Sequence, residues 1–285
     1  MINNILLNEI NKHNPSSIIE IKNALKEVLQ KIILSGLGKS NFFNGAVFYG
    51  GTSLRVFRNL PRFSEDLDFT LINKDVECDF NNCLLFAKRE LESLGINCCI
   101  RNKDKSFLTT VDTRYFEFNL KSLFDISFPI YSSKIVINEL ITIKVELERN
   151  AFLGGITEMK LLTYPSLTQI RTYSMETLFA SKLIAVLNRK WKTRIKGRDY
   201  YDYLFYIMQN VKPNMMFLEN GLKQFGFIDG NVKYTLDLLK SDLRDKFSSV
   251  DFNNAINDVK PFVSNDDRIV QFFNKEIFLA SIDLI

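Results

Sequence analysis

The sequence predicts an α+β protein, with a mixed-sheet domain over residues 1–165 and a helical domain over residues 166–285. Three observations carry that prediction. Residues 96–162 are rich in β-branched and aromatic side chains, the composition of strands. After Pro165 the apolar residues recur at helical spacing instead. The chain has 285 residues, 46% of them hydrophobic and 25% charged, which suits a globular protein long enough for two domains.

The elements follow in order. Residues 16–36 read as a first helix, because Ser16 or Ser17 can cap it and Ile18, Ile21, Leu25, Leu29 and Ile32 share one face. Gly36 supplies its stop. Ala46-Val47-Phe48-Tyr49 is a short apolar strand closed by Gly50-Gly51. Residues 52–60 are helical in character and end before Pro61. Residues 66–72 alternate as a strand does, and 76–94 read as a helix. The clearest later strands are 114–120 and 135–147, and the expected C-terminal helices cover 175–188, 198–210, 231–247 and 267–279.

Composition removes several kinds of chemistry. The one histidine, His13, lies in a polar N-terminal stretch, which excludes His-ligated metal clusters and Ser-His or Cys-His nucleophilic machinery. Cys78, Cys83, Cys98 and Cys99 lack paired zinc-site spacing and read as reduced thiols. The first residues have no basic segment followed by an apolar run, and no apolar run approaches the ~18 residues of a membrane span. A cytoplasmic protein with no membrane partner is expected. The net charge of +4 is too small to identify a polyanion partner, so the local distribution of charge matters more.

The most informative stretch runs from Tyr49 to Leu71. Gly50 and Gly51 allow a tight turn and close approach of the backbone to a ligand, and Thr52 and Ser53 open a helix whose free N–H groups can hold phosphate. Asp66 and Asp68 flank Leu67 on a predicted strand, so both carboxylates point one way. Such a pair suits a hard divalent cation, although a solvated strand end shows the same pattern. A phosphate-binding turn close to a carboxylate pair is what metal-assisted nucleotidyl transfer requires.

Downstream, Glu146 and Glu148 alternate with Val145 and Leu147, and either glutamate can supply a third carboxylate or line a solvated face. Lys182 lies on one predicted helix, while Asp199 and Asp202 share a face of the next. Taken alone these also fit a solvated lysine and favourable acids in a first helical turn. From Lys182 to Arg198, both included, there are seven Lys or Arg residues and no acid, with Trp191 in the middle. That run fits a nucleic-acid backbone with one stacked base as well as it fits a solvated connection. Arg55, Arg58 and Arg62 add positive charge near the Gly-Gly turn.

In this order, G-G-T-S followed by R-F-S-E-D-L-D-F resembles the polymerase-β-like nucleotidyltransferase superfamily and, more narrowly, the AbiEii/AbiGii family of MenT-like toxins. Lys182 and the R-D-Y-Y-D segment at Arg198–Asp202 match further positions of that family, although Tyr203-Leu204 stand where it has a single leucine. The resemblance spans about residues 45–210. It implies a nucleotidyltransferase core, a helical C-terminal domain, and a toxin of a bacterial toxin–antitoxin or phage-defence system with a cognate antitoxin. It implies transfer of a nucleoside monophosphate from an NTP, with Mg²⁺ or Mn²⁺, to an acceptor such as the 3′ end of tRNA. Catalytic roles then fall on Asp66, Asp68, Lys182 and Asp199, and metal binding on Asp66, Asp68 and Glu146. Gly50, Gly51, Thr52, Ser53 and Arg62 would hold the nucleotide, and Lys190, Trp191, Lys192 and Arg194 the acceptor. A protein or small-molecule acceptor, or a non-catalytic nucleotide- or RNA-binding module, stays open as an alternative.

Overall fold

The structure, a computed structural model, describes residues 2–102, 109–189, 195–264 and 266–285. The chain divides into two compact units. Residues 1–58, 63–151 and 159–172 form the first, and residues 59–62, 152–158 and 173–285 the second.

The first unit begins with α1 (Ile2–Asn11), α2 (Ile18–Lys39) and α3 (Phe42–Gly45), then β1 (Ala46–Tyr49), α4 (Gly50–Arg58), β2 (Leu67–Leu71) and α5 (Phe80–Ser93). It continues through β3 (Cys99–Asn102), β4 (Val111–Asn119), α6 (Leu120–Ser127), α7 (Pro129–Ser132) and β5 (Leu140–Glu148), then β6 (Thr157–Leu162) and β7 (Thr168–Tyr173). The seven strands among the described residues form one mixed sheet in the order β3-β4-β5-β2-β1-β7-β6. β2 runs antiparallel to β1 and parallel to β5, so it lies between them near the middle of the sheet.

Local chemistry explains most of these elements. Ser17 caps α2 by accepting the Glu20 N–H at 3.2 Å. On β5 the alternate residues Ile141, Ile143, Val145 and Leu147 are buried while their neighbours are not, as period-two patterning requires. The abundant phenylalanines build the core, where the ring of Phe69 lies 5.0 Å from that of Phe42 and 5.2 Å from that of Phe48. The stop expected at Gly36 is corrected, because α2 runs on to Lys39. Gly36 faces the backbone of Ala87 on α5, where the two helices approach too closely for a Cβ. β7 is a second correction. It lies beyond Pro165, where the sequence reads as helical, and its six residues are too few to show a period.

The second unit contains α8 (Met175–Asn188), α9 (Gly197–Met208), α10 (Met215–Gln224), α11 (Leu236–Ser249), α12 (Phe252–Val259) and α13 (Lys275–Ser281). Its core is an aromatic cluster in which Phe252 stacks on Phe278 at 4.4 Å and Tyr203 meets Phe247 edge-on at 5.0 Å. α9 starts at Gly197, where a Cβ would strike the carbonyl of Ala255 on α12. The helix expected over 267–279 is divided. Asp267 accepts the backbone N–H groups of Ile269 and Val270 and the Tyr201 hydroxyl, so the chain forms a short 3₁₀ turn before α13. Among the described residues, no helix is long and apolar enough to cross a membrane.

Candidate active site

In the first unit, β1 leads directly into α4 through Gly50, whose φ of +78° is the left-handed conformation that favours glycine. A Cβ at that position would collide with the Asp68 carboxylate. The bare backbone of the turn therefore lies directly against one member of the acidic pair. Thr52 fixes the same junction from the other side, its hydroxyl donating to the backbone carbonyl of Asp66. Ser53 is buried and its hydroxyl shares a 2.7 Å hydrogen bond with Thr172 on β7. What α4 can offer an anion is thus its first-turn backbone N–H groups and the positive end of its dipole.

Asp66 immediately precedes β2 and Asp68 lies on it, with fully buried Leu67 between two partly exposed carboxylates. Strand register carries this polar face across the sheet. Tyr49 pairs with Asp68, Asp68 with Glu146, and Glu146 with Thr113, so Asp68 and Glu146 stand on adjacent strands in one row. Glu146 receives the Thr113 hydroxyl at 3.0 Å and the Lys144 ammonium. Partial burial works against the Lys144 charge. The hydrogen bond that Lys144 donates to Glu146 and the charges of Glu146, Asp66 and Asp68 outweigh it, so Lys144 titrates above the usual lysine range.

The chemistry of these donors suits a hard divalent cation, since the acidic pair offers only oxygen. Among the described residues no group of three or more His, Cys, Asp or Glu side chains gathers closely enough to hold a metal ion. Two carboxylates suffice for Mg²⁺ at a nucleotide site, because that ion completes its shell with water and substrate phosphate rather than with a protein cage. Asp66 and Asp68 could hold it. Glu146 is engaged by Lys144 and Thr113 and does not join them in such a group.

The second unit assembles the other sequence-selected residues into a buried ion cluster. Asp202 is fully buried and accepts two hydrogen bonds from Arg62, at 2.6 and 2.7 Å. Lys182 bridges Asp199 and Asp202 at 2.8 Å each, and Arg189 pairs with the second oxygen of Asp199. Burial opposes all of these charges, and the partners overcome it. Asp199 is held well below the usual carboxylate range by Lys182 and Arg189, and Asp202 below it by Arg62 and Lys182. Burial, helped by Arg189, Lys182 and Arg198 and opposed by Asp199, pushes Lys196 down. Four cationic side chains, Arg62, Lys182, Arg189 and Lys196, thus gather around two carboxylates.

This arrangement fixes the acid limb of stability. The native carboxylates titrate below the unfolded value of ~3.9, so between the two the unfolded chain binds more protons. The stabilisation is complete above about pH 4 and is lost as pH falls through the native values. Thermal unfolding scans should show a midpoint that is nearly level from pH 7 to pH 5 and drops steeply below about pH 4. A level midpoint down to pH 3 would contradict the cluster.

Gly50, Gly51, Thr52, Ser53, Asp66, Asp68 and Glu146 therefore fall in the first unit, and Arg62, Lys182, Asp199 and Asp202 in the second. Lys190, Trp191, Lys192 and Arg194 lie outside the described residues. Sequence reasoning passed over Lys144, Thr113 and Arg189. Lys144 was findable, because it stands two residues before Glu146 on the same strand face.

A family model described as nucleotidyl transferase AbiEii toxin of a type IV toxin–antitoxin system matches residues 32–274. Among solved structures, the chain is similar to MenT4, a nucleotidyltransferase toxin of Mycobacterium tuberculosis H37Rv. The identity is 16%, the match covers 98% of this chain and 88% of that one, and the TM-score is 0.61. It is also similar to JHP933 from Helicobacter pylori, at 20% identity over 92% and 90% of the two chains with a TM-score of 0.52. At these identities the structural likeness is one of fold. The curated proteins contain no match.

Proposed function

We propose, from the premise that this chain belongs to the AbiEii family of type IV toxin–antitoxin nucleotidyltransferases, that it transfers a nucleoside monophosphate from an NTP to the 3′-terminal hydroxyl of tRNA. Membership makes the protein a nucleotidyltransferase toxin with an NTP substrate and an antitoxin partner. One observation carries the site assignment: the Asp68 carboxylate rests against the glycine turn that opens α4. An acidic pair and a phosphate-binding turn in direct contact are the two halves of a nucleotidyl-transfer site.

In this reading the acceptor hydroxyl oxygen forms a bond to the α-phosphorus and the bond between the α- and β-phosphates breaks. Pyrophosphate leaves, and the hydroxyl proton is released to water. Asp66 and Asp68 bind the divalent ion, Mg²⁺ or Mn²⁺. When bound, that ion neutralises triphosphate charge and favours ionisation of the attacking hydroxyl. Gly50, Gly51, Thr52 and Ser53 present backbone N–H groups to the phosphates. Lys182, Arg189 and Lys196 outnumber the carboxylates around them, and that surplus of positive charge supports a polyanionic ligand. Asp199 and Asp202 orient Lys182, and Arg62 holds Asp202 in place within the same unit. Glu146 fixes Lys144 beside the acidic pair. Lys190, Trp191, Lys192 and Arg194 add an acceptor contact through charge and base stacking.

The test is incubation with each labelled NTP, Mg²⁺, and either total RNA or total cellular protein. Label on RNA of tRNA length is expected with at least one NTP. Label on protein or on a small molecule would overturn the RNA acceptor, and failure of transfer with every NTP would overturn the site.

A further inference from the structure

A cleft of about 530 Å³ opens in the first unit between the N-terminal half of α2 and the beginning of β5. β2 pairs with β5 only from Val145 onward, which leaves the earlier part of β5 without a strand on that side. The cleft borders this gap, and Asp66 and Lys144 are among the residues that line it. It is thus continuous with the acidic pair, and its volume falls in the ~300–1,000 Å³ range of small-ligand sites.

Position in the sheet decides which substrate it suits. In-line displacement at phosphorus needs the attacking oxygen and the departing pyrophosphate on opposite sides. β2 lies between β1 and β5. The glycine turn and α4 follow β1, so the triphosphate reading puts pyrophosphate on that flank. The cleft borders β5, on the opposite flank of the same carboxylates. It is the approach left for the attacking group.

The lining fits the end of a nucleic acid. Lys22 and Lys26 lie one helical turn apart on α2. Lys22 is paired with Glu139 and Lys26 with Glu65 at 2.9 Å. An ammonium has three donors, so each lysine retains capacity for a phosphate oxygen. Tyr115 is half-buried in the wall beside Lys144, its partner in the strand register. Ile19 and Leu140, 63% and 54% exposed, line the same cleft and offer apolar surface to a base.

We propose that this cleft receives the terminal nucleoside of the acceptor RNA, its base on the Tyr115 and Leu140 side, its phosphates at Lys22 and Lys26, and its free hydroxyl toward Asp66. The inference rests on the RNA-acceptor reading and adds where that RNA enters.

The test uses the full chain, Mg²⁺, the NTP that the wild type transfers, and deacylated total tRNA as the probe. The Lys22→Glu/Lys26→Glu variant should raise the KM for tRNA at least about tenfold and flatten its salt dependence by up to about two counterions. Equilibrium binding of NTP without RNA should stay within twofold, a separation that general loss of structure would not produce. A second measurement leaves the protein unaltered. An RNA ending in 4-thiouridine, irradiated on the wild type, should cross-link to peptides covering residues 18–26, 111–119 or 139–144. Wild-type KM for tRNA in the folded variant, or cross-links confined to other peptides, would overturn the cleft while leaving RNA transfer intact. Label moving to protein in the wild-type reaction would overturn the RNA reading itself.

Discussion

Asp68→Asn should leave the protein folded and reduce transfer by about a thousandfold or more. The substitution preserves size, and the side chain lies on a partly exposed strand position, so the packing cost is small. It removes one of the two negative charges that would hold a divalent ion in the proposed site, the one that lies against the glycine turn. Loss of such a ligand costs several kcal/mol of transition-state stabilisation, and about 4 kcal/mol is a thousandfold in rate. Single-turnover transfer of labelled NMP measures the rate, and circular dichroism checks the fold. The variant should also need more Mg²⁺ for half-maximal rate. Transfer within tenfold of wild type at an unchanged Mg²⁺ requirement would remove Asp68 from the metal site.

The second large effect is on stability. Arg62→Ala should destabilise the second unit by about 3–5 kcal/mol, the usual consequence of leaving a buried charge without its partner. Asp202 is 0% exposed and loses both hydrogen bonds from the guanidinium, keeping Lys182 as its cation among the described residues. Urea unfolding followed by tyrosine fluorescence reads this unit through Tyr200, Tyr201, Tyr203 and Tyr206. The midpoint should move far to lower urea with little change in slope. The exposed pair Arg101–Glu117 is the control, and Arg101→Ala should leave the midpoint where it is. Equal shifts in the two variants would mean that the buried cluster has no special weight.

Some of this molecule is plain in its sequence. β1 and α8 begin and end where their patterns say, because a short apolar run closed by Gly-Gly and a capped apolar helix are both local signals. The acidic pair and the glycine turn were legible for the same reason, since the chemistry and the spacing lie within about twenty residues. The ion cluster was not. Arg62 and Asp202 are 140 positions apart, and nothing in their neighbours says that both will be buried. Lys182 reads as a surface lysine until Asp199 and Asp202 are seen on either side of it. α12 escaped because its sequence, FNNAINDV, is dominated by residues that favour turns. It is held as a helix by the Asp251 cap and by burial of Phe252, Ala255 and Val259. α1, α10 and β7 are likewise products of tertiary packing more than of local pattern.

Gly50 also shapes how a population could escape this toxin. Cells that express it without an antitoxin survive by mutating its gene, and every missense codon change at a glycine adds a side-chain carbon. At Gly50 each such change forces the chain out of its φ of +78° and drives that carbon into Asp68. At Gly230 nothing lies within 4 Å of the added atom. A survivor screen should therefore collect Gly50 alleles repeatedly, with many different amino acids, while Gly230 alleles pass through the selection only as passengers.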